Sequence, residues 1–343
     1  MTPNQGKGKV RYFMSSLQAP IAAHTPVSCW VVTEELAGLQ NQAKGLAEAL
    51  GLSYEVKTVR KPGFPWKVLP TALWPLGVAN QQAVFAGPWP DVVISCGRNS
   101  VTPALAIRKS SGGKTFSIHV QHPHVNPALF DCVIVANHDG LEGPNVLATQ
   151  GALHRITRDK LDDAFAQFAP VFGSLKHPIY SVLVGGTTRS SSMTVEAARD
   201  LGEKLAQVGR DTGGSIAVTM SRRTGPENEA AIRECLKGAN AYIWDGKGEN
   251  PYFGLLAHAD AIVVTADSVS MTSEACATGR PVYVYDAGLK SRRLKKFQEN
   301  LAAAGMTRAF TGNVENWAAR PFDDMKAAAD FVRPALKKHL GVT

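Results

Sequence analysis

The chain has no apolar run long enough to cross a bilayer, and its first apolar stretch is too short and interrupted to read as a signal peptide. That argues against a membrane-spanning helix and leads us to expect a cytoplasmic protein. It has only five cysteines, Cys29, Cys96, Cys132, Cys235 and Cys276, and no CxxC pair. Three of them fall in or beside predicted strands, which points to reduced core thiols and away from a disulfide scaffold. No acidic residue occurs in positions 1–33, where Lys7, Lys9 and Arg11 stand alone. Basic regions with interleaved aromatics of the RNA-binding kind are missing too, so nucleic acid is not an expected partner.

What remains is ordinary for a globular protein. The 343 residues are 44% hydrophobic and 19% charged, enough for two domains with separate cores. The net charge of +8 suits an acidic partner such as nucleotide phosphates or an anionic membrane surface. Part of the excess is local, in Lys290, Arg292, Arg293, Lys295 and Lys296. The plainer reading of such a run is a solvated face.

Residues 1–26 read as a flexible basic arm. Strands are expected at 27–33, 54–60, 91–96, 114–120 and 131–136, with helices at 38–50 and 100–109 between them. Residues 151–178 read as mostly helical, with a linker inside that stretch. Strands then return at 179–184, 215–219, 241–244, 261–265 and 282–285, separated by helices beginning near 194, 224, 251, 269 and 291. Thr224–Glu227 reads as a capping box. A last helix, 323–340, carries Pro334, where a kink or break is expected. Strand–helix alternation of this kind predicts an α/β protein of two Rossmann-like domains facing a central cleft. The expected boundaries are 27–165, 176–320 and a C-terminal helix in 321–343. Such sheets bind ligands at the carboxyl ends of their strands.

The most informative stretch is Asp260–Asp286, DAIVVTADSVSMTSEACATGRPVYVYD. A buried strand, a polar loop and a helix N-terminus make an anion site. Free N–H groups with the hydroxyls of Ser268, Ser270 and Thr272 suit a diphosphate, with Asp267 in the same loop. Glu274, four residues after Ser270 on the same helix face, suits ribose hydroxyls. The plainer reading is a βαβ unit whose serines only cap the helix.

Four segments, taken in order, resemble the mitochondrial fission Elm-type family of bacteria and plants. They are FDCVIVANHDGLEGPNVLATQGA from Phe130, SRRT from Ser221, GENPY from Gly248 and TADSVSMTSE from Thr265. The likeness spans roughly residues 27–320. That family is similar to the GT-B glycosyltransferases, in which the second domain holds a nucleotide-sugar donor. The resemblance implies the fold strongly and the reaction weakly.

It implies a donor site built from Gly186 and Thr187 after the first strand of the second domain, and from Ser221, Arg222 and Arg223 after the next. Arginine forks suit a diphosphate. Asn250 could read a uracil-like base edge, or GENPY could be a plain turn into a helix. On the acceptor side Glu34 is a candidate general base, since a carboxylate in a water-poor cleft can have a raised pKa. Surface salt-bridging is the alternative. His138 and Asp139 form a second base candidate, or a structural pair that fixes a turn. His119, His122 and His124 cluster as HVQHPH but lack further partners at ligand spacing, so no metal is expected. The resemblance also implies no cofactor, because helix dipoles and arginines can neutralise the leaving diphosphate.

The reaction expected is sugar transfer from an NDP-sugar, with UDP as the favoured nucleotide, to a glycan or lipid-linked acceptor. An epimerase of the same fold and a non-catalytic membrane-associated adaptor are the alternatives. Residues 61–76, KPGFPWKVLPTALWPL, mix Phe64, Trp66, Leu69, Leu73 and Trp74 with Lys61 and Lys67, which suits a peripheral seat on the inner membrane. The same tryptophans could instead fill a core.

Overall fold

The structure is a computed structural model, and it describes residues 27–60, 64, 68–73, 86–315, 317–320 and 324–342. The expected arm 1–26 and the pair Trp66 and Trp74 lie outside the described residues.

The first lobe contains β1 (Cys29–Thr33), α1 (Ala37–Leu50), β2 (Tyr54–Thr58), β3 (Val92–Cys96), α2 (Val101–Ser110), β4 (Phe116–Val120), β5 (Cys132–Ala136) and β6 (Val146–Thr149). Its sheet runs β2-β1-β3-β4-β5-β6, with every pair parallel. Strands β1, β3 and β4 are buried along their whole length. A parallel sheet covered on both faces demands that, and it explains why these strands read as continuous apolar runs. β6 went unpredicted because its sequence, VLAT, is short and half-exposed.

The second lobe contains α3 (Arg158–Phe172), β7 (Ile179–Val184), α4 (Val195–Thr212), β8 (Ser215–Met220), α5 (Pro226–Cys235), β9 (Ala241–Ile243), α6 (Tyr252–His258), β10 (Ala261–Thr265), α7 (Val269–Ala277), β11 (Val282–Tyr285), α8 (Arg292–Ala303) and β12 (Arg308–Ala309). Its parallel sheet runs β12-β11-β10-β7-β8-β9. Strand order therefore reverses between β7 and β10, the switch point where such sheets hold ligands. The two-residue β12 is exposed and was not legible in the sequence.

The chain crosses between lobes ahead of α3, whose Ala164, Phe168 and Phe172 pack with Ile179, Ala217 and Leu255 under the second sheet. It returns in α9 (Asp324–Leu340), which lays Ala328, Ala329, Val332 and Leu336 into the core beneath the first sheet. Of the kink or break expected at Pro334, the break does not occur: the helix runs through it. The Arg333 side chain donates to the Ala49 carbonyl on α1 at 2.6 Å, which ties α9 to α1.

The crossing is anchored on both sides. Glu48 of α1 takes Arg155 at 2.6 Å and also pairs with Lys160 of α3. Gly151 N–H donates to Asp324 at 2.7 Å, and Ala152 N–H donates to Ser273 of α7 at 2.9 Å. Gly45 is required here, because a Cβ on it would lie 2.1 Å from the His154 carbonyl oxygen.

Candidate nucleotide cleft

Register builds the second lobe's half of the site. Val264 of β10 pairs with Leu183 of β7, and Val184 pairs with Met220 of β8. Two residues beyond that register, Gly185-Gly186 lies between Ala266-Asp267 and Ser221. The Asp267 carboxylate accepts from Gly186 N–H at 3.1 Å, from Thr265 Oγ1 at 2.7 Å and from Arg223 at 2.9 Å. Its side chain is only 3% exposed. Both glycines are obligatory. A Cβ on Gly185 would meet an Asp267 carboxylate oxygen at 2.2 Å, and one on Gly186 the Arg223 carbonyl oxygen at 2.0 Å.

The glycine loop is thus filled by an internal carboxylate, and Arg223 is paired with it. Arg222 stands exposed on the same turn. Ser221 donates to the Gly185 carbonyl at 3.0 Å and accepts from Arg223 N–H at 3.2 Å, so it braces the loop. Thr187 N–H donates to the Arg223 carbonyl at 3.1 Å. The expected capping box is not formed: Gly225 occupies the cap position without a side-chain bond, and the Thr224 hydroxyl donates to the Gly185 carbonyl instead. Asn250 is exposed and its side-chain oxygen accepts from Tyr252 N–H at 3.1 Å, so it caps the entry to α6.

Helix α7 begins as the sequence implied. The Ser268 hydroxyl accepts from Met271 N–H at 3.3 Å as the cap. Ser270 faces the first lobe, since a Cβ on Gly38 of α1 would lie 3.1 Å from its hydroxyl oxygen. Glu274 is 5% exposed. Its oxygens accept from the Tyr252 hydroxyl at 2.5 Å and, across the cleft, from the Asn41 amide at 3.4 Å. Burial pushes this carboxyl up to about 7, against the opposing pull of the two hydrogen bonds. Burial and the adjacent carboxylate push the Tyr252 hydroxyl well above its usual range, so it remains a donor.

Between the lobes lies a cavity of about 110 Å³. From the first lobe it is lined by Gln42, Gln121, His138 and Asp139, and from the second by Ser270 and Arg293. His138 follows β5, and its side chain is 2% exposed. Neither ring nitrogen has a hydrogen-bond partner among the described residues, and Asp139 stands 3.9 Å away. Burial holds its pKa below the usual imidazole value, with Asp139 acting the other way and Arg293 in the same sense. Glu34 sits at the end of β1, half-buried, and is not among the cavity-lining residues.

The histidine cluster does not converge. His119 is fully buried and shares a hydrogen bond of 2.8 Å with Ser95. Burial takes its pKa down to about 3. The His122 and His124 rings lie tilted against each other, centroids 4.4 Å apart. Among the described residues no group of three His, Cys, Asp or Glu side chains is placed to hold a metal ion.

Sequence reasoning passed over two residues of this cleft. Arg293 was hidden in a charge run, yet it pairs with Asp139 at 3.0 Å across the lobes. Gln121 lines the cavity at φ +81°, a backbone region that non-glycine residues seldom occupy and that tends to mark functional sites.

The fold, two parallel six-stranded sheets facing a central cleft, is GT-B-like. The UDP-GlcNAc 2-epimerase of Methanocaldococcus jannaschii is similar to it, with a TM-score of 0.57 at 14% identity over 90% of this chain and 99% of that one. A second structure of that epimerase, in complex with UDP-GlcNAc and UDP, matches with a TM-score of 0.50 at 14% identity, over the same shares of both chains. The sequence profile of the family described as mitochondrial fission ELM1 matches residues 37–336, and the chain belongs to that family. The mitochondrial fission protein ELM1 of Arabidopsis thaliana is 34% identical over 274 residues, which cover 72% of this chain and 64% of that protein. The match thus spans just under two thirds of that relative's length.

Proposed function

We propose that this protein binds a UDP-sugar between its lobes and transfers the sugar to a hydroxyl of a glycan or lipid-linked acceptor. The observation that carries the reading is Glu274. It is a buried carboxylate beside the second lobe's switch point, and its oxygens are met by a hydroxyl and an amide N–H. Ribose hydroxyls offer the same donor chemistry. The N-terminus of α7 supplies N–H groups and a favourable dipole for the diphosphate. His138, buried and neutral near pH 7, is the group suited to take the acceptor's proton, with Asp139 beside it to stabilise the imidazolium. Glu34 remains the alternative base if the acceptor enters from the α1 side.

The lobes must part for this chemistry. A cavity of about 110 Å³ is well below the roughly 300–1,000 Å³ of small-molecule sites. The net charge of +8 and the exposed Phe64, Val68 and Leu73 support a peripheral place on an anionic membrane, where a lipid-linked acceptor would lie. No helix among the described residues is long and apolar enough to cross one.

A second reading, a non-catalytic adaptor, is favoured by Asp267, whose carboxylate fills the glycine loop. A thermal-shift screen of nucleoside diphosphates and UDP-sugars, followed by NMR of the sugar product, separates the readings. Stabilisation by UDP and UDP-sugars with acceptor-dependent release of UDP supports transfer. Isomerised sugar without acceptor supports an epimerase. No stabilisation by any nucleotide supports the adaptor.

A further inference from the structure

The glycine loop and Arg223, two of the parts of the second lobe that read as phosphate-binding, are occupied by Asp267, and Arg222 stands exposed on the same turn without lining the cavity. A nucleotide held in the cavity therefore needs a cation that lines it. Arg293, in the first turn of α8, lines the same cavity as Ser270 of α7. It is exposed like its neighbours Arg292, Lys295 and Lys296, but its guanidinium has a fixed partner. It crosses to the first lobe and pairs with Asp139 at 3.0 Å, whose side chain is 5% exposed while that of Arg293 is 55% exposed. Beside this pair sits the buried, unpartnered His138, lining the cavity.

We propose that Arg293 is the principal diphosphate-binding cation of the cleft and that Asp139 occupies it as a resident anion until the nucleotide arrives. This rests on the nucleotide-binding reading above. An arginine fork is suited to both partners, because carboxylate and phosphate oxygens accept its paired N–H groups in the same geometry. Apart from Met271 N–H, which Ser268 caps, the N–H groups of the first turn of α7 have no intrahelical partners, so a diphosphate beside Ser270 meets them and Arg293 together. When the fork turns from Asp139 to the diphosphate, it removes a bond that ties the lobes. It also leaves the Asp139 carboxylate to His138 alone. Donor binding would thus open the lobe contact and prepare the first-lobe base in one exchange.

The test is calorimetric titration of the full-length chain with UDP and, separately, with uridine, at low and at moderate salt. Arg293→Ala should weaken UDP by about tenfold or more while leaving uridine unchanged, as expected for loss of a charge-assisted pair. Arg293→Lys should recover part of the loss, because it restores the charge without the fork. Asp139→Asn should tighten UDP several-fold, because the resident competitor is gone. Melting curves confirm that each variant is folded. Equal UDP affinity for wild type and Arg293→Ala overturns the inference and leaves the nucleotide reading standing. Equal losses of UDP and uridine in a folded Arg293→Ala variant also overturn it. Failure of the wild type to bind UDP at all overturns both.

Discussion

Asn41 of α1 and Glu274 of α7, 233 residues apart, meet across the cleft at 3.4 Å. With the Tyr252 hydroxyl on the other oxygen, the carboxylate is engaged by one group from each lobe. Asn41 thus stands where a ribose hydroxyl would have to come. Asn41→Ala should tighten UDP binding by a few-fold, since a hydrogen bond as long as 3.4 Å contributes only about 1 kcal/mol. Calorimetry with UDP checks this, and weaker binding in the variant would mean that Asn41 itself contacts the nucleotide.

Glu274 gives a pH signature. Its folded pKa, about 7, lies above the ordinary glutamate value of 4.5. Between those limits the folded state holds more protons than the unfolded one, so stability falls as pH rises from about 4.5 to 7 and is level beyond. Full stability from this group is present only below the unfolded pKa. Glu274→Gln should remove that decline, on the order of 3 kcal/mol over the window. Denaturant unfolding of both proteins at several pH values, taken as a difference, isolates the effect. His119 and His154, whose folded pKa values fall to about 3 and about 4 through burial, slope the opposite way below the usual imidazole range and cancel in that difference.

The Asp267 network should behave as a structural unit. Gly186→Ala forces a Cβ onto the Arg223 carbonyl oxygen, a backbone atom that cannot withdraw, and should cost about 2 kcal/mol or more. Arg223→Ala removes the cation beside a buried carboxylate and should destabilise by roughly 1–3 kcal/mol. Arg222→Ala, on the exposed side of the turn, should stay within about 0.5 kcal/mol of wild type. Thermal melts of the three variants test the order, and an Arg222 effect equal to that of Arg223 would contradict the assignment.

The sequence revealed the sheets because parallel strands buried on both faces are unbroken apolar runs; β7, β10 and β11 end where VGG, TAD and YD begin. β6 and β12 escaped because half-exposed or two-residue strands carry no such run. The Ser268 cap and the shared cleft-facing side of Ser270 and Glu274 were legible because cap chemistry and helical spacing are local. The pairing of Arg223 with Asp267 was not legible, because 44 residues separate them and only register joins them. Arg293 was missed for the same reason: nothing in a run of five cations says which one turns toward an aspartate on the other lobe. The path of α9 back to the first sheet likewise depends on a contact with α1 that periodicity cannot express.

The most direct measurement is calorimetric titration of UDP into the wild-type chain and into Glu274→Ala. A nucleotide cleft centred on this carboxylate predicts saturable binding by the wild type and a loss of roughly 1–3 kcal/mol, about 5- to 150-fold, in the variant. No binding of UDP by the wild type, or equal affinity for the two proteins, would contradict it.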